Sequence, residues 1–256
     1  MPNLHKAIKT PNDFYTEVRK GNVSGHSVVA IVARNSAVGT SFETLWGEGG
    51  MYSFPSSASQ MTVSSADADD TSAGTGLRTL LLTYLDASYI EQTEVITMNG
   101  QTAVNTVATD ILRIQSMVGL TAGSSGSNEG LVYIGTGTVT TGKPANVFGI
   151  ISMNGTGGDN FSMHGFYTIP DGKTGFLLSV LQSIDGNKDA TTKIMIKQET
   201  GLLINSGQIT DTGGANQFIV SATPGYIAHT DISFDSRLTS GSAELNIFAE
   251  LLLVDD

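Results

Sequence analysis

Residues able to do chemistry are few and scattered in this 256-residue sequence. His229-Thr230-Asp231 sets an imidazole two places from a carboxylate, types that serve a metal site or an acid–base pair. A histidine hydrogen-bonded locally where a strand begins is the commoner arrangement. His5, His26 and His164 are dispersed without ligand spacing. Asp67-Ala68-Asp69-Asp70 offers the oxygen ligands that calcium takes. Counted from Asp67, however, Ser72 and Arg78 stand where an EF-hand loop needs Gly and Glu, so a solvated loop is the simpler reading. Gly172-Lys173-Thr174 has the ending of a phosphate loop, but Tyr167 occupies the required earlier glycine position. Gly123-Ser124-Ser125-Gly126 misses the spacing of a nucleophile elbow. Asp171, Asp185 and Asp211 fall in turn-prone stretches, and no carboxylate pair stands out for glycoside hydrolysis. The absence of cysteine removes disulfides and thiolate metal sites. The expectation is a non-enzymatic chain with no catalytic residue, cofactor or metal.

The elements around these residues read as strands. Leu77–Leu85 and Tyr89–Met98 are apolar and Thr-rich runs separated by the polar Asp86-Ala87-Ser88. Asn99-Gly100, a pair suited to a type I′ turn, leads into a third extended run, Thr102–Thr109, so a three-stranded antiparallel meander is expected. Asp110–Leu120 fits either period, with strand favoured by its β-rich neighbourhood. In the second half, Thr174–Ile184 and Thr191–Glu199 read as strands on either side of a turn at Asp185-Gly186-Asn187. Every odd position from Ala243 to Leu253 is apolar, the pattern of a central strand that closes a domain. Trp46, Tyr52 and Phe54 are expected in packing, with a ligand-stacking platform as the alternative. Long irregular connections favour sandwiches over a propeller. The expected fold is therefore all-β, with two jelly-roll or Greek-key-like sandwich parts and an extended N-terminal arm. The expected divisions are 1–40, 41–140 and 141–256, the second boundary falling in the small, polar Gly135–Pro144 stretch.

Composition narrows the partners. Charged residues make up 14% of the chain, against roughly one quarter in ordinary globular domains, and Ser, Thr, Asn and Gly supply the remaining polarity. The net charge of −11 disfavours nucleic-acid backbone binding. Up to Asn35 the chain has five basic residues against two acidic ones, a net +3 on a remainder of −14. A helix expected over Asp13–Lys20 and capped by Asn12 would display part of that charge. The arm residues Lys6, Lys9, Phe14, Tyr15, Arg19 and Lys20 are thus candidates for docking on an acidic partner surface. No secretory signal or membrane span is expected, since no apolar run approaches about 20 residues.

Several runs resemble a known class. Trp46-Gly-Glu-Gly-Gly-Met-Tyr, Ser64-Ser65-Ala66-Asp67, Gly74-Thr75-Gly76, Tyr84-Leu85-Asp86, Glu94-Val95 and Met98-Asn99-Gly100 belong to the likeness. So do Ile169-Pro170-Asp171-Gly172-Lys173-Thr174, Thr230-Asp231-Ile232 and Leu252-Leu253-Val254-Asp255. Together, over roughly His26 to Asp256, they resemble structural proteins of tailed-bacteriophage virions. That resemblance implies a capsid decoration (cement) protein, commonly a homotrimer, with the major capsid protein as partner. It implies a place on the virion surface after assembly in the host cytoplasm. The alternative is a tail or fibre component binding a host glycan through Trp46, Tyr52 or Tyr226.

Overall fold

The computed structural model describes residues 11–155, 157–219 and 224–256. The first half contains helix α1 (Pro11–Arg19) and strands β1 (His26–Val38), β2 (Glu43–Thr44), β3 (Thr62–Ser65), β4 (Leu77–Asp86), β5 (Glu91–Thr97), β6 (Val104–Asn105) and β7 (Ile111–Ala122). There follow β8 (Val132–Thr140), β9 (Lys143–Ile151), β10 (Met153–Asn154), β11 (Gly157–Gly158) and β12 (Phe166–Thr168). The chain finishes with β13 (Lys173–Lys197), β14 (Leu203–Ile219), β15 (Asp231–Leu238) and β16 (Ala243–Asp255). The fold is all-β and antiparallel, as the residue patterns require.

Two cores organise these strands. In the first, the β6-β3-β8-β9 sheet faces the β5-β4-β7 sheet across Met61, Leu80, Leu82, Met117, Ile134 and Ile151. The expected meander is corrected here. Strand β4 has β5 on one side and β7 on the other, whereas only Val104–Asn105 of the third run is strand, paired with β3 in the opposite sheet. Gly100 takes positive φ (+61°), and its N–H donates to the Asp70 carbonyl while its own carbonyl accepts from Ser65 N–H, each at 2.8 Å. Those bonds pin the turn beneath the first core and send the chain across to the other sheet. The Gly135–Pro144 stretch, expected as a boundary, is the β8–β9 hairpin of this same core. Its turn residues Thr141 and Gly142 both have positive φ, the type I′ requirement.

The second core is closed by one long strand. Strand β13 pairs with β16 over Lys173–Ile184 and with β15 over Ala190–Lys197, while β14 lines its other edge from Ser179 onward. The register slips between Ile184 and Asp189, so the expected turn at Asp185–Asn187 is instead an irregularity inside a continuous strand. Bending there places Leu177 and Val180 in the same core as Ile194 and Ile196, joined by Phe234, Ile247 and Leu251. The segment expected as arm includes β1, which pairs along its length with β16, so β16 sits between β1 and β13. Its odd-numbered residues Leu245, Ile247, Ala249, Leu251 and Leu253 all enter the core.

Candidate functional surface

Of the six arm residues, Lys6 and Lys9 lie outside the described residues. Phe14 and Tyr15 pack with Val18, Val23 and Leu252 on the outer face of the β16/β13 sheet. Arg19 forms an ion pair with Glu250, and Lys20 reaches Glu17 at 2.9 Å. Helix α1 thus spends its apolar face on its own chain.

The aromatic residues that a glycan site would need are buried. Trp46 donates from Nε1 to the Gly49 carbonyl at 2.8 Å, and its ring meets Tyr52 edge-on at 5.0 Å. Tyr52 stacks on Phe166 at 3.7 Å and donates to the Phe148 carbonyl. Tyr226 lies within the second core. None of the three presents a face on which a sugar ring can stack. Packing, the role expected of Trp46 and Tyr52, is what the structure shows.

Beside this cluster a buried ion pair joins the two cores. Arg113 of β7 donates from Nε and Nη2 to the two carboxylate oxygens of Asp231 at 2.8 and 3.1 Å, and from Nη1 to the Pro55 and Leu112 carbonyls. Thr168 adds a hydroxyl donor to Asp231 at 2.6 Å. Asp231 is therefore engaged away from His229, its neighbour in sequence. The His229 ring lies between two carboxylates, Nε2 at 3.0 Å from Asp171 and Nδ1 at 3.2 Å from Glu199. Tyr89 stacks on it at 4.1 Å. Contacts at opposite ends of one ring make a bridge between loops, not converging ligands for a metal.

The acidic loop is only partly solvated. Asp70 is wholly buried and accepts from Ser65 Oγ, Leu77 N, Glu129 N and Gly130 N at 2.6–3.0 Å. Asp67 and Asp69 remain near the surface, and folding brings Glu129 to them, with one oxygen from each within 4.8 Å of the others. These three can approach a cation, but Glu129 already accepts from Thr75 Oγ1 at 2.7 Å and Asp67 from Asp69 N at 2.8 Å. Glu129 was not identifiable from local spacing, because it comes from a loop that only the fold brings there.

His164 lines a cavity of about 170 Å³ bounded by Val29, Ile31, Ser116, Phe161 and Tyr167. Its Nε2 lies 2.9 Å from the Gln115 carbonyl, which requires Nε2 to carry the proton and leaves Nδ1 as an acceptor. Burial pushes the ring down from its ordinary 6.5 to about 4, only partly offset by that hydrogen bond. Because the folded ring takes up its proton later than the unfolded one, the associated stability is full above pH 6.5 and is lost as pH falls towards 4. The expected difference between pH 7 and pH 4 is about 3 kcal/mol. Asp159 and Asp235, whose carboxyls burial pushes up, act with the opposite sign. The measurement is therefore a comparison of urea melts of the parent and His164→Gln across this range. Parallel pH curves for the two proteins would contradict it.

Strands β13 and β14 form a long two-stranded ribbon. Strand β14 bonds to β13 on one edge and to no other described strand. Leu202 and Leu203 at the ribbon tip and Ile227 beside it are each more than half exposed. Ile227 also lines a cleft of about 320 Å³, together with Ile196, Ile204, Ser206, Tyr226 and Thr230. The Thr230 hydroxyl is buried in that lining with no hydrogen-bond partner among the described residues.

The sequence matches no protein-family model and no curated protein. Among solved structures it is similar to infectious bursal disease virus Gt strain, at 10% identity and a TM-score of 0.23, over 91% of this chain and 73% of the other. The Gx strain gives 9% identity and 0.22 over 89% and 70%. The VP2 subviral particle of the same virus gives 8% and 0.21 over 90% and 72%. TM-scores this low mark no shared arrangement of elements, so the functional reading rests on the chain itself.

Proposed function

We propose that this chain is a non-enzymatic structural protein of a tailed-phage virion, a decoration protein that cements the capsid by bridging capsomers as a homotrimer. Its partners in this reading are the major capsid protein and its own copies, and its place is the outer surface of the shell. The observation that carries the reading is the edge of β14 that no described strand pairs. Seventeen residues with a single charged side chain, Asp211, and no proline leave a row of backbone donors and acceptors unpaired by any described strand. At about 3.3 Å per residue that edge runs roughly 56 Å. Chains that stay apart blunt such edges with lysine, proline or cover, whereas a strand added here gains a continuous ladder of main-chain bonds. The resemblance of the turn motifs to virion proteins agrees with such a role, and the acidic body limits non-specific aggregation.

The test is to add purified protein to phage heads that lack it and to image the particles. Density spread over the whole shell, with heads that withstand higher temperature before rupture, is the expected result. Density confined to one vertex would replace decoration with the tail or fibre role. Protein that remained monomeric and ignored the heads would overturn the proposal.

A further inference from the structure

Two buried polar groups in the lining of the His164 cavity have no partner among the described residues: His164 Nδ1 and the Tyr167 hydroxyl. The cavity lies where strands of the two cores meet, with Val29 and Ile31 supplied by β1, Thr83 by β4, Ser116 by β7 and Tyr167 by β12. Other buried polar side chains of the lining are engaged. Gln115 donates to the Thr168 carbonyl at 2.6 Å and accepts from Thr168 N at 3.2 Å, and Ser162 Oγ accepts from Met117 N at 2.8 Å. The His164 ring is fixed by its Nε2 bond to the Gln115 carbonyl and by stacking on Phe166 at 4.1 Å. Buried polar groups are rarely left unpaired, so two in one cavity point to an occupant.

Their chemistry specifies it. Burial pushes the His164 imidazole down to about 4 and the Tyr167 phenol up, so at neutral pH Nδ1 accepts and the phenol donates. The occupant must offer a donor to the first and an acceptor to the second, as a single hydroxyl can. Val29, Ile31 and Phe161 give it apolar walls. About 170 Å³ suits one small ring, since a cavity of about 150 Å³ takes benzene. Glu91, an exposed residue of the lining, sets a carboxylate beside the space and disfavours an anion. With Ala30 it carries the lining out to solvent, which gives a way in.

We infer that this cavity binds a small neutral ring compound bearing a hydroxyl, which donates to His164 Nδ1 and accepts from Tyr167. A ligand so placed touches strands of both cores. The site does not depend on the capsid reading, so either can fail alone.

Phenol, benzene and benzoate are the probes, titrated calorimetrically into the full-length chain at neutral pH. Phenol is expected to bind at least about tenfold more tightly than benzene, because only phenol pairs the two polar groups, and more tightly than benzoate. Tyr167→Phe removes a hydroxyl with no described partner, so the fold should survive. This variant is expected to bind phenol little better than benzene, with benzene affinity unchanged. In the parent, phenol and not benzene should move the His164 Nδ1 nitrogen resonance, the sign of a new hydrogen bond at that atom. No phenol binding, as water alone filling the space would give, would overturn the inference. So would equal affinity for phenol and benzene, benzoate binding as tightly as phenol, an unmoved Nδ1 resonance, or a phenol preference that survived in Tyr167→Phe.

Discussion

Replacing Arg113 with Met is expected to lower the stability of the folded chain by about 3–5 kcal/mol, the usual consequence of stranding one member of a buried ion pair. Asp231 would keep one hydroxyl donor, from Thr168, while losing both guanidinium bonds at a site it cannot leave for water. The Pro55 and Leu112 carbonyls would lose a donor at the same time. The damage reaches beyond one contact, because Arg113 lies on β7, a strand of the first core, and Asp231 begins β15, a strand of the second. Chemical denaturation of Arg113→Met should therefore show a lower midpoint. The double variant Arg113→Met with Asp231→Leu is expected to recover much of the loss, because no charge is then left without a partner. If the double variant were no better than the single one, the pair would matter for shape and not for charge.

Asp70→Ala is expected to cost a comparable amount, about 3–5 kcal/mol, by leaving several buried donors unpaired. One carboxylate holds the start of β4, the end of β3 and the loop before β8 together through Leu77, Ser65, Glu129 and Gly130. Asp70→Asn keeps the shape but turns an NH2 group toward groups that are themselves donors, so it should fall only part of the way back toward the parent. Asp67→Ala, a few residues away on a partly exposed loop, should change stability far less. Thermal melts of the three variants separate the roles. Equal losses for Asp67 and Asp70 would mean that the loop acts as a unit, as a bound cation would make it act.

These sites show where reading the sequence stops. Alternating or continuous apolar runs disclosed β4, β5, β7 and β16 because each strand writes its own burial pattern. The polar groups that join the cores write none. Arg113 and Asp231 are 118 positions apart, and nothing near either predicts the other. Asp67–Asp70 reads as a solvated loop because composition does not reveal that one of its three carboxylates turns inward. The Asp185–Asn187 stretch has the residue types of a turn, yet β15 and β16 flank it end to end and make it a bend within one strand. Asn99-Gly100 does turn the chain, but tertiary bonds to Asp70 and Ser65 decide where the next segment goes. His229 was visible as a residue able to do chemistry, whereas its two carboxylate neighbours come from separate loops.

The position of β16 between β1 and β13 also has a consequence for biosynthesis. During translation β1 leaves the ribosome long before its partner exists, a wait of roughly 10–40 seconds at about 5–20 residues per second. Through that interval β1 and the first half of β13 expose the edges that β16 will later occupy. The nascent chain is therefore most open to chaperones, and to mispairing with other copies, just before β16 emerges. A product terminated ahead of Ala243 would also lack Leu252 and Val254, part of the platform that receives α1. Such copies would lose the closing strand and the helix dock together.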